Sequence, residues 1–244
     1  CWEACGRRDF LGAQSASCKF SECFRTCGNN VRRIVVSVFN KLAQFQKMVR
    51  LVADVHRGAK DLNRVDSAEL YFSTYSAIAL GLHNSSSLDI GCGAVPKNPF
   101  EASSAFGLDI RHSDAPNMKN ADLAVQSIPF ESCRFEYVTA FDFIEHVPRV
   151  VYMPERRFPF VMLMNEIFRI LKPNGIFFSR TPFYPFAEAF RDPTHVNIIT
   201  TETFPLYFGG NRPHAKIYGF IGSFEVVDQA RQGSHLVSIL RKVV

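Results

Sequence analysis

Residues 31–60, VRRIVVSVFNKLAQFQKMVRLVADVHRGAK, place apolar side chains at Val35, Val38, Leu42, Phe45, Met48, Val49 and Val52, with Arg and Lys on the remaining face. That spacing is helical. A second helix is predicted over Ser67 to Leu82, bounded by Gly81 and the polar run HNSSS. Beyond residue 85 the pattern changes to short apolar runs alternating with helical stretches: SLDIG, AFGLDI, ADLAV, FEYVTAFDF, then FPFVMLMNEIFRILK, then GIFFSRTPF. Strands alternating with helices predict a parallel α/β sheet. The clearest helix runs from Phe160 to Lys172 and stops at KPNG, where Pro173 cannot continue the ladder and Asn174 and Gly175 tolerate positive φ. The tail holds two strand-like runs, FEVVDQ and SHLVSILRKVV, separated by ARQG, which fit a terminal antiparallel pair.

Composition adds limits. A chain of 244 residues, 47% hydrophobic and 21% charged, suits one large domain or one domain with an appendage. The longest uncharged stretch, Leu70 to Leu88, is full of Ser, Thr, His and Asn, so no membrane span is expected. The net charge of +5 is uneven: residues 1–64 hold 12 Lys/Arg against 5 Asp/Glu, and residues 65–244 hold 16 against 18. A basic segment can meet nucleic acid or an anionic membrane surface, and a solvated helix face is the plainer reading. Of 7 cysteines, Cys1, Cys5, Cys18, Cys23 and Cys27 crowd the N-terminus at spacings that match no zinc ribbon or iron–sulfur motif, so no metal is assigned. Residues 1–30 are expected to be a Cys-rich leader, disordered or outside the core, and reduced thiols point to the cytoplasm.

The stretch SSLDIGCGAVPKNPF, residues 86–100, raises the question of a cofactor. A strand ending in Gly91-Cys92-Gly93 lets the backbone turn tightly and a ligand approach without meeting a Cβ. Asp89 stands near the carboxyl end of that strand, and the next strand ends in Asp109, 18 residues after Gly91, about where α/β folds read ribose hydroxyls. Pro96, however, replaces the third glycine of a dinucleotide fingerprint, and a second proline follows at 99. A long phosphate-presenting helix is therefore excluded, and with it a nicotinamide oxidoreductase. A nucleoside ligand without a phosphate fits.

Taken together, LDIGCG, GLDI, SIPFESCRFEYVTAFDFIEHV and NEIFRILKPNGIFFSRTPFYP resemble the class I S-adenosylmethionine-dependent methyltransferases, in the small-molecule branch that includes quinone-biosynthesis enzymes. The resemblance covers about residues 86–182. It implies a three-layer, Rossmann-like α/β fold with a seven-stranded, mostly parallel sheet whose last strand is antiparallel. Residues 31–84 would form an N-terminal helical cap and 85–244 the catalytic domain. It implies S-adenosyl-L-methionine as cofactor, leaving as S-adenosyl-L-homocysteine. Asp89, Gly91, Cys92 and Gly93 would line its methionine end, Asp109 with Ile110 its ribose, Asp122 and Leu123 its adenine, and Ala140 and Phe141 would lie under the sulfonium. Val95 and the near-absence of a helix after the first strand depart from the family pattern.

Acceptor groups should come from the carboxyl ends of the fourth and fifth strands. The candidates are Asp142, Glu145 and His146 in FDFIEHV, and Tyr184 in RTPFYPF. Similarity of RDPTHVN to a family segment that overlies the active site adds His195, which can take a hydroxyl proton. Against these roles, Glu145 and His146 can simply open a helix, and Asp192 can cap the turn that carries His195. No Asn/Asp-Pro-Pro-Tyr/Phe amine clamp or Pro-Cys nucleophile is present, which disfavours DNA or RNA as substrate. The expectation is transfer to a small-molecule or sugar-like acceptor, at oxygen in preference to nitrogen. The alternative is a catalytically inactive methyltransferase-fold binding or partner subunit. The aromatics Tyr71, Tyr75, Phe183, Tyr184, Phe186, Phe190, Tyr207 and Phe208 serve either core or acceptor pocket. Acceptor identity and oligomeric state are open at this point.

Overall fold

The structure, a computed structural model, describes residues 37–50 and 62–243. The chain divides into two compact units, Cys1–Asp54 and Val55–Val244. In the first, residues 37–50 form helix α1 with exposed side chains, as the 3.6-residue spacing predicts. The Cys-rich leader and the rest of the segment 31–60 lie outside the described residues. No described helix is long and apolar enough to cross a membrane.

The second unit is built on β1 (Asn63–Arg64), α2 (Glu69–Thr74), β2 (Ser86–Ile90), β3 (Ser104–Asp109), β4 (Met118–Asn120), β5 (Phe135–Phe141), α3 (Pro159–Ile170), β6 (Leu171–Pro182), α4 (Glu188–Arg191), α5 (Thr203–Tyr207), β7 (Phe224–Gln232) and β8 (His235–Lys242). The strands make one sheet in the order β1-β7-β8-β6-β5-β2-β3-β4. Every pairing is parallel except those of β8, which runs antiparallel to both β6 and β7. The expected seven-stranded sheet is present, with the two-residue β1 added beside β7 as an eighth strand.

Both faces of this sheet are buried, and the chain shows it residue by residue. Phe177 and Phe178 are both fully buried, yet Phe177 packs in the cluster with α3, whereas Phe178 packs with Tyr71 of α2 and Phe100. Val138 and Tyr137 of β5, and Leu240 and Ile239 of β8, divide the same way. Each such side chain contributes about 1.5–3 kcal/mol by leaving water. Tyr71 is further tied to the sheet through its hydroxyl, which donates to Asp228 of β7 at 2.7 Å.

Three predicted boundaries move. The Ser67–Leu82 helix shrinks to α2, because Thr74 and Ser73 donate their hydroxyls back to the Leu70 carbonyl and Ser76 Oγ accepts from Ala79, so side chains compete for the ladder. Helix α3 ends at Ile170, two residues early, since Lys172 precedes proline and is pushed out of the helical region, with Asn174 at φ 63 closing the turn. Strand β7 continues through Ala230, Arg231 and Gln232, which narrows the last turn to Gly233-Ser234. Between β2 and β3 no helix forms, as the prolines predict, and Phe100 from this loop fills the space against Tyr137 instead.

Candidate active site

From β2 the chain steps one way to β3 and β4 and the other way to β5 and β6. In an open α/β sheet such a reversal leaves a crevice beyond the strands' carboxyl ends, where ligands bind. The Gly91–Gly93 loop, Asp109, Ala140, Phe141 and the segment after β5 all lie there, the ends of the three adjacent strands β3, β2 and β5.

The glycines are needed for geometry. Gly91 has φ +71 and Gly93 φ +69, and a Cβ on Gly91 would stand 2.4 Å from the Phe143 ring. Asp89 braces the same loop: its buried carboxylate accepts from the Thr139 hydroxyl at 2.8 Å and from the Lys97 N–H at 2.9 Å. Burial raises its pKa, against the opposing pull of those two hydrogen bonds. Cys92 packs its sulfur 3.8 Å from that of Met118, and burial pushes its thiol up to about 11, which suits a packing residue and leaves no thiolate at neutral pH.

Asp109 is the best-provided carboxylate of the site. Its Oδ2 accepts the Gly93 N–H at 2.8 Å, and its Oδ1 accepts the Arg111 N–H at 3.1 Å and Arg111 Nε at 2.9 Å. Arg111 Nη2 also reaches Oδ2 at 3.3 Å. Burial works against the charge, but the Arg111 and Gly93 hydrogen bonds outweigh it and hold the carboxyl below its usual range. The guanidinium thus takes the paired contacts that a ribose diol would make, in the space a Cβ on Gly93 would meet at 3.1 Å. Arg111 is 70% exposed, so it can swing clear. The residues fit an adenosine-bearing cofactor on that condition. Ile110 is exposed, Leu123 is buried, and Asp122 closes a local turn by accepting from the Ala124 N–H at 2.9 Å.

At the end of β5 the predicted acceptor residues separate into two groups. Asp142, at φ 50, pairs with Arg180 Nη1 at 2.6 Å and with His235 Nε2 at 3.1 Å. Burial disfavours its charge, yet His235 and Arg180 outweigh this and keep the carboxyl below the usual range. Glu145 and His146 form a single 3-10 turn, Ile144–His146. His195 meets His146 there, with ring centroids 4.8 Å apart. Asp192 does cap the turn that carries it: Oδ1 accepts from the Thr194 N–H at 2.8 Å and from its hydroxyl at 2.6 Å. Thr194 Oγ1 lies 3.0 Å from His146 Nδ1, and His195 Nδ1 lies 3.0 Å from the Glu188 carbonyl. Backbone bonds from Val196 and Asn197 to the Glu145 carbonyl lock the two segments together. Glu145 is 1% exposed, and burial raises its pKa. Tyr184 is half-exposed and packs edge-on to Phe190.

Phe183 and Phe208 are core residues, and Tyr71 is buried against the sheet, while Tyr184, Phe190 and Tyr207 are exposed. A cavity of about 490 Å³ opens beside α3 and α5, lined by Arg149, Phe158, Phe160, Tyr207 and Tyr218. Arg149 connects it to the His195 segment through Asn197 Oδ1 at 2.7 Å. Sequence reasoning missed Arg111, Arg180, His235 and Thr194. Arg111 follows Asp109 by two residues and was open to local inspection, whereas Arg180 and His235 reach Asp142 only through sheet register.

A family model described as a methyltransferase domain matches residues 66–208. The chain belongs to this family and is an S-adenosylmethionine-dependent methyltransferase. No curated protein matches it in sequence. Among solved structures, an S-adenosylmethionine-dependent methyltransferase from Aquifex aeolicus is 11% identical with a TM-score of 0.43, the match covering 66% of this chain and 84% of that one. The YcgJ protein of Bacillus subtilis is 14% identical at a TM-score of 0.44, over 71% of this chain and 96% of its own. The [4+2]-cyclase SpnF is 16% identical at a TM-score of 0.46, over 73% and 81%.

Proposed function

We propose that this enzyme methylates a hydroxyl oxygen of a small-molecule or sugar-like acceptor bound at the carboxyl ends of β5 and β6. The observation that carries the reading is the His146–His195 pair. Both Nδ1 atoms are engaged, by Thr194 and by the Glu188 carbonyl, which turns the Nε2 atoms to the acceptor side; Asp192 Oδ2 stands 4.0 Å from His195 Nε2, beyond hydrogen-bond reach. A carbonyl can only accept, so His195 carries its proton on Nδ1 and offers Nε2 as a base.

Asp109 would hold the cofactor's ribose once Arg111 has turned away, the Gly91–Gly93 loop would face its methionine end, Ile110, Asp122 and Leu123 would border the adenine, and Ala140 and Phe141 would floor the site. Bound there, the cofactor would supply a methyl group on a positively charged sulfur. His195 Nε2 takes the acceptor hydroxyl's proton. Asp142, paired with Arg180 and His235, fixes the chain's exit from β5 rather than acting as a base. Tyr184 offers an exposed ring at the acceptor's edge.

Calorimetric titration with S-adenosylmethionine, on wild type and Asp109→Ala, tests the cofactor half. Asp109→Ala should weaken binding by about 1.5–3 kcal/mol, as for hydrogen bonds to a charged group. For the acceptor half, paired hydroxyl and amine acceptors are compared on wild type and His195→Ala. Turnover of hydroxyl acceptors should fall in the variant and recover in part as pH rises; unchanged turnover at every pH would remove His195 from the chemistry.

A further inference from the structure

Glu145 presents an unusual buried oxygen. Its Oε2 accepts from the Thr181 hydroxyl at 2.8 Å and its own backbone N–H also favours the charged carboxylate, but Oε1 has no hydrogen bond of normal geometry among the described residues. A bare polar atom in a side chain only 1% exposed costs about 1–3 kcal/mol unless something satisfies it. One ligand-capable atom from each of Glu145, His146 and His195 lies within 4.8 Å of the others.

We propose that Glu145, His146 and His195 form a binding site for one divalent first-row transition ion, whose open coordination position takes the acceptor's hydroxyl oxygen. This rests on the methyl-transfer reading above, names what holds the acceptor, and replaces His195 as the base of that reading with the ion. Ligating histidines characteristically donate their second ring N–H to a carboxylate, carbonyl or similar acceptor. Both do so here. His195 Nδ1 faces the Glu188 carbonyl, and the Thr194 hydroxyl, whose proton goes to Asp192 Oδ1 at 2.6 Å, has a lone pair left for His146 Nδ1–H. The result is an Asp192–Thr194–His146 relay that orients the ring from behind.

The donor set selects the ion. Two imidazoles and one carboxylate suit zinc, manganese, iron, cobalt or nickel, whereas calcium and magnesium prefer oxygen ligands throughout. Three protein ligands leave a position open, the arrangement of catalytic rather than structural sites. Ligands roughly 2.1 Å from a tetrahedral ion stand roughly 3.4 Å apart, so a cluster spanning up to 4.8 Å has to contract on the ion. Asp142 is no fourth ligand, because Arg180 and His235 already hold both of its oxygens. With the ion in place, both Nε2 lone pairs are on the metal. The ion then acidifies the bound hydroxyl, and the proton leaves to solvent instead of to His195.

The test uses the full chain, stripped with a chelator and titrated with Co²⁺, read by visible d–d absorption, and with Zn²⁺ and Mg²⁺ by calorimetry. One equivalent of Co²⁺ or Zn²⁺ should bind in preference to Mg²⁺. His146→Ala, on an exposed side chain that folding does not need, should weaken uptake at least tenfold; Thr194→Ala should weaken it about tenfold through the lost support. Uptake unchanged in His146→Ala and His195→Ala, with thiolate charge-transfer bands, would mean that the cysteines bind the metal and would overturn the proposal. So would methyl transfer that survives stripping yet is lost in His195→Ala, which would leave His195 as the base. Co²⁺ binding that His146→Ala abolishes supports the ion site even if no hydroxyl acceptor is turned over, and in that case only the acceptor reading fails.

Discussion

Asp109 at the end of β3 and Glu145 just beyond β5 are both carboxylates at the active edge of one sheet, 8% and 1% exposed. The protein treats them in opposite ways. Asp109 receives hydrogen bonds on both oxygens from Arg111 and Gly93, whereas one Glu145 oxygen has no hydrogen bond among the described residues and the carboxylate clusters with the His146 and His195 imidazoles. On the proposed reading, binding at the first is an exchange of partners with Arg111, and at the second an incoming group supplies what Glu145 lacks. Affinity at β3 would then be set by competition, and affinity at β5 by what the pocket lacks.

The strongest way to break the contrast is to disturb the loop between the two sites. Gly91→Ala should destabilise the fold by about 2 kcal/mol or more, from a left-handed backbone that disfavours a Cβ and from its clash with Phe143. Urea unfolding measures it, and a loss under 0.5 kcal/mol would mean that Phe143 moves freely. A smaller effect sharpens the competition argument. Arg111→Ala should tighten S-adenosylmethionine binding several-fold, because an exposed ion pair no longer has to be broken. Weaker binding in this variant would show that Arg111 holds the cofactor rather than standing in for it.

The smallest effect is a difference of sign. The Asp109 carboxyl is depressed in the folded protein, so its contribution to stability is present above the ordinary carboxylate range and is lost as pH falls through the depressed value. Glu145 is raised, so the folded form holds its proton more tightly and stability declines as pH rises through the window above the ordinary value. Unfolding curves in chelator across acidic to neutral pH should therefore shift oppositely: Asp109→Asn loses stability towards neutral pH, and Glu145→Gln gains it. Equal shifts of one sign would remove the distinction between the two sites.

The edge carrying Gly91, Gly93 and Asp109 was legible in advance because its signals are local: a strand, two glycines and an acid one strand later need only short-range geometry. The acceptor edge depends on contacts that no local window contains. His146 and His195 meet across 49 residues, and His235 reaches Asp142 from the first position of β8. Lost helical length in α2 reflects hydroxyls competing for the backbone, and β1 is too short for any period to register. The bare oxygen of Glu145 has no sequence signature at all.

One last consequence follows from the place of β8, inserted between β6 and β7 although it is made after both. During synthesis, the long apolar border of β6 stays open until residues 235–242 emerge, and until then His235 cannot pair with Asp142. A ribosome stalled before that point would hold a sheet with an unprotected margin, a template for pairing with other chains. The order of translation thus makes the arrival of one strand both the closing of the sheet and the completion of its active edge.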